Sequence, residues 1–143
     1  ELARETEEFV RRAAPHNGSG PFIVQLAGRE PEWMRTGAEL AEAAGADIID
    51  INMGCPAKKV TGGQSGCALM REPDLARQLI AATVAGTKRP VTVKMRMGWC
   101  HDNLNAPELA RIATLSDLHL GSVSFGRPVA LREPEAVSAQ NIR

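Results

Sequence analysis

Asn52-Met53-Gly54-Cys55-Pro56 is the segment of this 143-residue chain whose residue types and order most directly suggest chemistry. It closes a mostly apolar run, Asp47-Ile48-Ile49-Asp50-Ile51-Asn52, that has the look of a buried strand. Folds of alternating strands and helices present their reactive side chains just past such strand ends. Gly54 lets a ligand approach the backbone closely, and Pro56 biases Cys55 toward extended backbone, which fixes where the thiol points. Such a thiol donates a proton when protonated, whereas a nucleophilic role requires a neighbouring base, and no histidine lies near it in sequence. A free cysteine is also a small hydrophobe, so position alone leaves both readings open.

Three further groups could carry chemistry. In Val91-Thr92-Val93-Lys94-Met95-Arg96-Met97, the two cations share one strand face and could neutralise an anionic cofactor or intermediate, or could simply reach solvent. Lys58 and Lys59, in the loop after Cys55, could meet phosphates or be only solvated. Thr61-Gly62-Gly63-Gln64-Ser65-Gly66 lacks the Gly-Lys-Ser/Thr of a P-loop and reads as an active-site loop instead. Cys55, Cys67, Cys100 and His101 could formally assemble a zinc set, but no CxxC pair is present, so no metal is expected.

Periodicity indicates the strands and helices that hold these residues in place. Strands are expected at 22–26, 47–52 and 91–97, with a weak fourth at 122–125. Helices are expected at 2–13, between Pro31 and Gly45, from Pro73 to Gly86, and from Pro107 onward. In the second of these, Trp33, Gly37, Leu40, Ala41 and Ala44 are spaced as one face. Short strands alternating with helices specify βαβ units and a parallel sheet. An open doubly wound sheet covers both faces with helices, which would bury Lys94 and Arg96 at high cost. A barrel strand can instead aim polar residues at a site in the barrel mouth, and Gln25 and Asn52 also sit near strand ends. The expected fold is therefore α/β, a partial (β/α)8 barrel of three to four βα units, since a complete barrel takes about 250 residues. Residues 1–113 form its expected central part, and 114–143 a divergent, irregular tail.

Composition narrows the function classes. Seventeen Lys+Arg balance 17 Asp+Glu, which argues against bulk electrostatic capture of nucleic acid but leaves room for a local basic patch. Three phenylalanines, two tryptophans and no tyrosine disfavour an aromatic stacking platform. No apolar run approaches the length of about 18 residues needed to span a membrane, the first dozen residues look like a charged helix rather than a signal peptide, and a cytoplasmic protein is expected. Three cysteines make no disulfide framework.

Taken together, Val24 to Gly28 (VQLAG), Asp47 to Val60 (DIIDINMGCPAKKV), Gly66 to Met70 (GCALM), Val91 to Trp99 (VTVKMRMGW) and Asn105 to Ala113 (NAPELARIA) closely resemble the tRNA-dihydrouridine synthases in order and spacing. That resemblance implies an FMN-bearing (β/α)8 barrel that reduces the C5–C6 bond of uridines in tRNA with electrons from NADPH. By motif, it implies that Gln25 and Lys94 contact the flavin ring system, that Asn52 sits between flavin and uracil, that Cys55 gives a proton to C5, and that Arg96 lies close by. Lys58 and Lys59 would then meet the tRNA backbone. The chain departs from the family pattern in four places, one of them Cys100-His101, which replaces a usually acidic pair. Two strands expected before Glu1 are absent, Cys67 stands where serine is commoner, and Thr114 to Arg143 lacks the expected His-Gly-Arg strand end and phosphate-gripping loops, as a truncated or frame-shifted product would. Another FMN-barrel pyrimidine oxidoreductase of the dihydroorotate dehydrogenase type, or a non-catalytic fragment without flavin, are the alternatives.

Overall fold

The computed structural model describes residues 20–57, 62, 64–114 and 124–125. The expected helix at 2–13, Lys58 and Lys59, and the tail beyond Thr114 apart from Ser124 and Phe125 lie outside the described residues. The chain order is β1 (Ile23–Leu26), α1 (Pro31–Ala43), β2 (Ile48–Met53), a 3-10 helix (Gly66–Arg71), α2 (Pro73–Ala85), β3 (Val91–Met95), α3 (Ala106–Thr114) and β4 (Ser124–Phe125). All strand pairs are parallel, and the sheet runs β1-β2-β3-β4 in sequence order. Sequential parallel strands with a helix between each pair form an arc of a (β/α)8 barrel, as expected.

Local chemistry explains where the helices start and stop. Pro31 and Pro73 occupy the first turns of α1 and α2, where a missing N–H costs no hydrogen bond, and Glu32 and Asp74 place negative charge at the positive helix ends. Helix α1 ends in a Schellman motif. The Gly45 N–H donates to the Glu42 carbonyl and the Ala46 N–H to the Ala41 carbonyl, with Gly45 at φ +90°, a left-handed conformation that glycine tolerates. Gly86 ends α2 for another reason: a Cβ there would lie 2.5 Å from the Arg35 carbonyl oxygen, so close packing of α2 on α1 demands its absence.

The core lies between one face of the sheet and the helices. Val24, Leu26, Ile49, Ile51, Met53, Val91, Val93 and Met95 supply the sheet side, and Met34, Ala38, Leu69, Met70, Leu79, Ile80 and Leu109 supply the other. Burying each large apolar side chain contributes about 1.5–3 kcal/mol, so this layer carries the fold. The structure corrects two expectations. The buried face of α1 is Met34, Ala38 and Ala41, while Trp33 is 64% and Leu40 48% exposed. The helical period holds but its phase is shifted, because small residues let α1 lie close to α2 and to Leu26 beneath Gly37. Strand β3 stops at Met95 rather than 97. Past it the chain doubles back, with the Trp99 N–H donating to the Asn103 carbonyl and the Ala106 N–H to the Met97 carbonyl. At Gly98 a Cβ would fall 1.9 Å from the Asn103 carbonyl oxygen, so the turn admits only glycine. No helix among the described residues is long and apolar enough to cross a membrane.

Candidate active site

The period of two along each strand sends alternate residues to the face that no described helix covers. Gln25, Asp50 and Thr92 are register partners across β1, β2 and β3, and Asn52 and Lys94 are partners one layer nearer the C-terminal strand ends. Five polar side chains from three strands therefore share one patch, each at least partly accessible.

They are joined by hydrogen bonds. The Gln25 Nε2 donates to Asp50 Oδ2, the Thr92 hydroxyl to Asp50 Oδ1 at 2.6 Å, and Asn52 Nδ2 to Gln25 Oε1 at 3.0 Å. Asn52 Oδ1 then accepts the backbone N–H groups of Gly54 and Cys55 at 3.1 and 3.0 Å, a turn that asparagine makes readily and that bends the chain sharply off β2. Lys94, on the same face, makes no side-chain hydrogen bond to another described residue.

Cys55 sits half-buried at the head of this patch. Its carbonyl accepts the Cys67 N–H at 3.1 Å, so the 3-10 helix is pinned to the Cys55 loop. Arg96 Nε donates to the Gly54 carbonyl at 2.6 Å and holds the same loop from the end of β3. That bond uses one of the five guanidinium N–H groups. Cys67 is buried, and burial pushes its thiol pKa up against the opposing pull of Arg96. It is a packing residue. Cys100 and His101 stand in the turn after β3. Among the described residues no group of three or more His, Cys, Asp or Glu side chains could hold a metal ion.

A second ring of contacts supports the loop from outside. Arg29, just beyond β1, forms a two-point salt bridge to Glu72, both bonds 2.7 Å, and donates to the Gln64 carbonyl at 3.3 Å. The bonded guanidinium holds the Glu72 carboxyl below its ordinary range, and the carboxylate raises the Arg29 pKa. The Asn105 side chain donates to the Met70 carbonyl at 2.6 Å. Together these anchors hold the return of the glycine-rich loop against the ends of β1 and α2.

Gln25, Asn52, Cys55, Lys94 and Arg96 are thus gathered at the C-terminal end of one sheet face, from positions up to 71 residues apart in the sequence. Sequence reasoning passes over Asp50 and Thr92, although Asp50 has the parity of Asn52 and Thr92 that of Lys94. It also passes over Arg29 and Glu72, whose pairing across 43 residues leaves no local trace.

A sequence model of the dihydrouridine synthase family, Dus, matches residues 1–116. A protein of Rhizobium leguminosarum bv. phaseoli named "Probable tRNA-dihydrouridine synthase" is 54% identical over 123 residues, which is 86% of this chain and 38% of that protein. One of the same name from Rhodobacter capsulatus is 61% identical over 90 residues, 63% of this chain and 28% of its own length. The "tRNA-dihydrouridine synthase B" of Pasteurella multocida is 46% identical over 108 residues, 76% and 32% of the two chains. The chain therefore spans less than two-fifths of these relatives.

Proposed function

Since the chain belongs to the dihydrouridine synthase family, we propose that it carries the central part of an enzyme that reduces uridine to dihydrouridine in tRNA, with FMN as cofactor and NADPH as electron source, in the cytoplasm. The observation that carries this reading is the convergence of Gln25, Asn52 and Lys94 on one open sheet face, with Cys55 and Arg96 at its head.

The donor set fits a flavin. Its ring edge bears carbonyl oxygens and ring nitrogens that accept hydrogen bonds, and Lys94 offers an ammonium that no other described side chain engages. Gln25 has a second amide N–H beyond the one given to Asp50. Gln25 and Lys94 are the residues that would hold the ring. When bound and reduced, FMN supplies a hydride to C6 of the uracil.

The chain's own residues stabilise and then neutralise the resulting charge. It develops toward C5 and the adjacent carbonyl oxygen, and positively charged or N–H donors fixed nearby lower its energy without having to reorganise. Lys94 and Arg96 are such donors. Asn52, locked by bonds at both ends of its amide, lies between the strand face and the Cys55 turn and orients the base. Cys55 Sγ gives its proton to C5 and recovers one from solvent through its exposed side. Lys58 and Lys59, only a few residues further along the sequence, bind tRNA phosphates as a local basic patch.

The test is flavin retention and product formation by the enzyme that contains this segment. Lys94→Met should lower the FMN absorbance that copurifies with the protein and reduce dihydrouridine in nucleoside digests of treated tRNA. Full FMN occupancy and unchanged dihydrouridine in Lys94→Met would remove Lys94 from the site.

A further inference from the structure

We propose that Asp50 is a positioning residue that sets the orientation of the Cys55 loop through two intervening carboxamides, an inference that rests on the proposed function and extends it. A carboxylate offers acceptors only, and both oxygens of Asp50 are used, one by Gln25 Nε2 and one by the Thr92 hydroxyl at 2.6 Å. A carboxamide has one donating end and one accepting end. With its nitrogen held by Asp50, Gln25 must turn Oε1 toward Asn52, which meets it with Nδ2 at 3.0 Å. Asn52 is then obliged to present Oδ1 to the loop, where Gly54 and Cys55 donate their N–H groups. Rotating either amide by half a turn would set donor against donor or acceptor against acceptor.

The polarity imposed by one carboxylate therefore passes along two side chains and ends on the backbone that carries the thiol. Satisfied networks of this kind strengthen cooperatively and select a single arrangement. Asparagine at position 50 would release the polarity without changing the size of the side chain, because its amide can present either end to Gln25 while the Thr92 hydroxyl accepts as well as donates.

Amide hydrogen exchange on the 143-residue chain tests this without flavin or tRNA, so its outcome and that of the proposed reaction are independent. In Asp50→Asn the Gly54 and Cys55 amides should exchange about tenfold faster, the order expected for loss of one oriented hydrogen bond. The ladder amides of Ile51 and Val93 should stay as slow as before. Adding Asn52→Asp to that variant should restore slow exchange at Gly54 and Cys55, because a carboxylate accepts both N–H groups whichever way it is turned. A residue that merely glued the strands together would show no such rescue. Unchanged exchange at Gly54 and Cys55, acceleration spread over the whole sheet, or absence of rescue each overturns the proposal. Should Asp50→Asn fail to fold, Gln25→Met cuts the same chain of bonds without altering charge. It must then give the same selective acceleration, and its failure to do so overturns the proposal equally.

Discussion

Along β3, Val91, Val93 and Met95 press against the helices while Thr92 and Lys94, interleaved with them, stay on the accessible side. The same alternation runs through β1 and β2. One face is close-packed with apolar side chains, and the other holds a carboxylate, two amides, a hydroxyl and an ammonium. The helix-covered face determines whether the chain folds, because each of its side chains has neighbours on all sides and any gap costs contacts. The open face carries the proposed site. Its groups cohere through hydrogen bonds whose net contribution to stability is small, about 0.5–1.5 kcal/mol each. Substitutions should therefore separate cleanly by parity.

The largest expected loss of stability is on the covered face. Ile51 is 1% exposed, and Ile51→Ala should destabilise the chain by about 2–5 kcal/mol in urea unfolding. A cost below about 1 kcal/mol would mean that the layer between sheet and helices is loosely packed.

A smaller effect comes from the rim. The Glu72 carboxyl titrates below its ordinary range because Arg29 is bonded to it, and the Glu42 carboxyl does so because the Thr87 hydroxyl and the Lys88 N–H donate to it. Each group is worth its full stabilisation above the ordinary carboxyl range, where both the folded and unfolded forms are charged. That stabilisation is lost as the pH falls through the depressed folded value. Glu72→Gln should lower stability at neutral pH and flatten the acid side of the stability profile. An acid limb identical to that of the unaltered chain would show that the bridge contributes nothing, as exposed ion pairs often do not.

The smallest effect on stability belongs to the open face. Lys94→Met should change unfolding free energy by no more than about 0.5 kcal/mol, because no described side chain depends on it for a hydrogen bond. A loss comparable to that of Ile51→Ala would erase the distinction between the faces.

Much of this contrast is legible in the sequence. The shared parity of Val91, Val93 and Met95, opposite Lys94, is enough to assign the covered and open faces and to prefer a barrel arc over a doubly wound sheet. Asn52-Met53-Gly54-Cys55-Pro56 marks the candidate site because a strand followed at once by glycine and proline leaves few conformations. The features hidden from the sequence depend on tertiary phase or distance. Trp33 and Leu40 carry the apolar signal of α1, yet Met34, Ala38 and Ala41 face the core, since small residues permit closer helix contact. The short 3-10 helix at Gly66–Arg71 is held by the Cys55 carbonyl and by Asn105, which are remote in sequence. Asp50 looks like an ordinary polar strand residue until the register places it between Gln25 and Thr92.

The role of the open face is tested most directly by rapid-mixing kinetics of Cys55→Ala in the enzyme that contains this segment. Flavin reduction by NADPH should proceed as in the unaltered enzyme, because the role proposed for the thiol begins only with uridine. Uridine reduction should slow by about 10² to 10⁴, the usual consequence of removing a general acid. Uridine reduction at the normal rate in Cys55→Ala would contradict the assignment of the proton to Cys55, and with it the purpose given to the polar face beneath it.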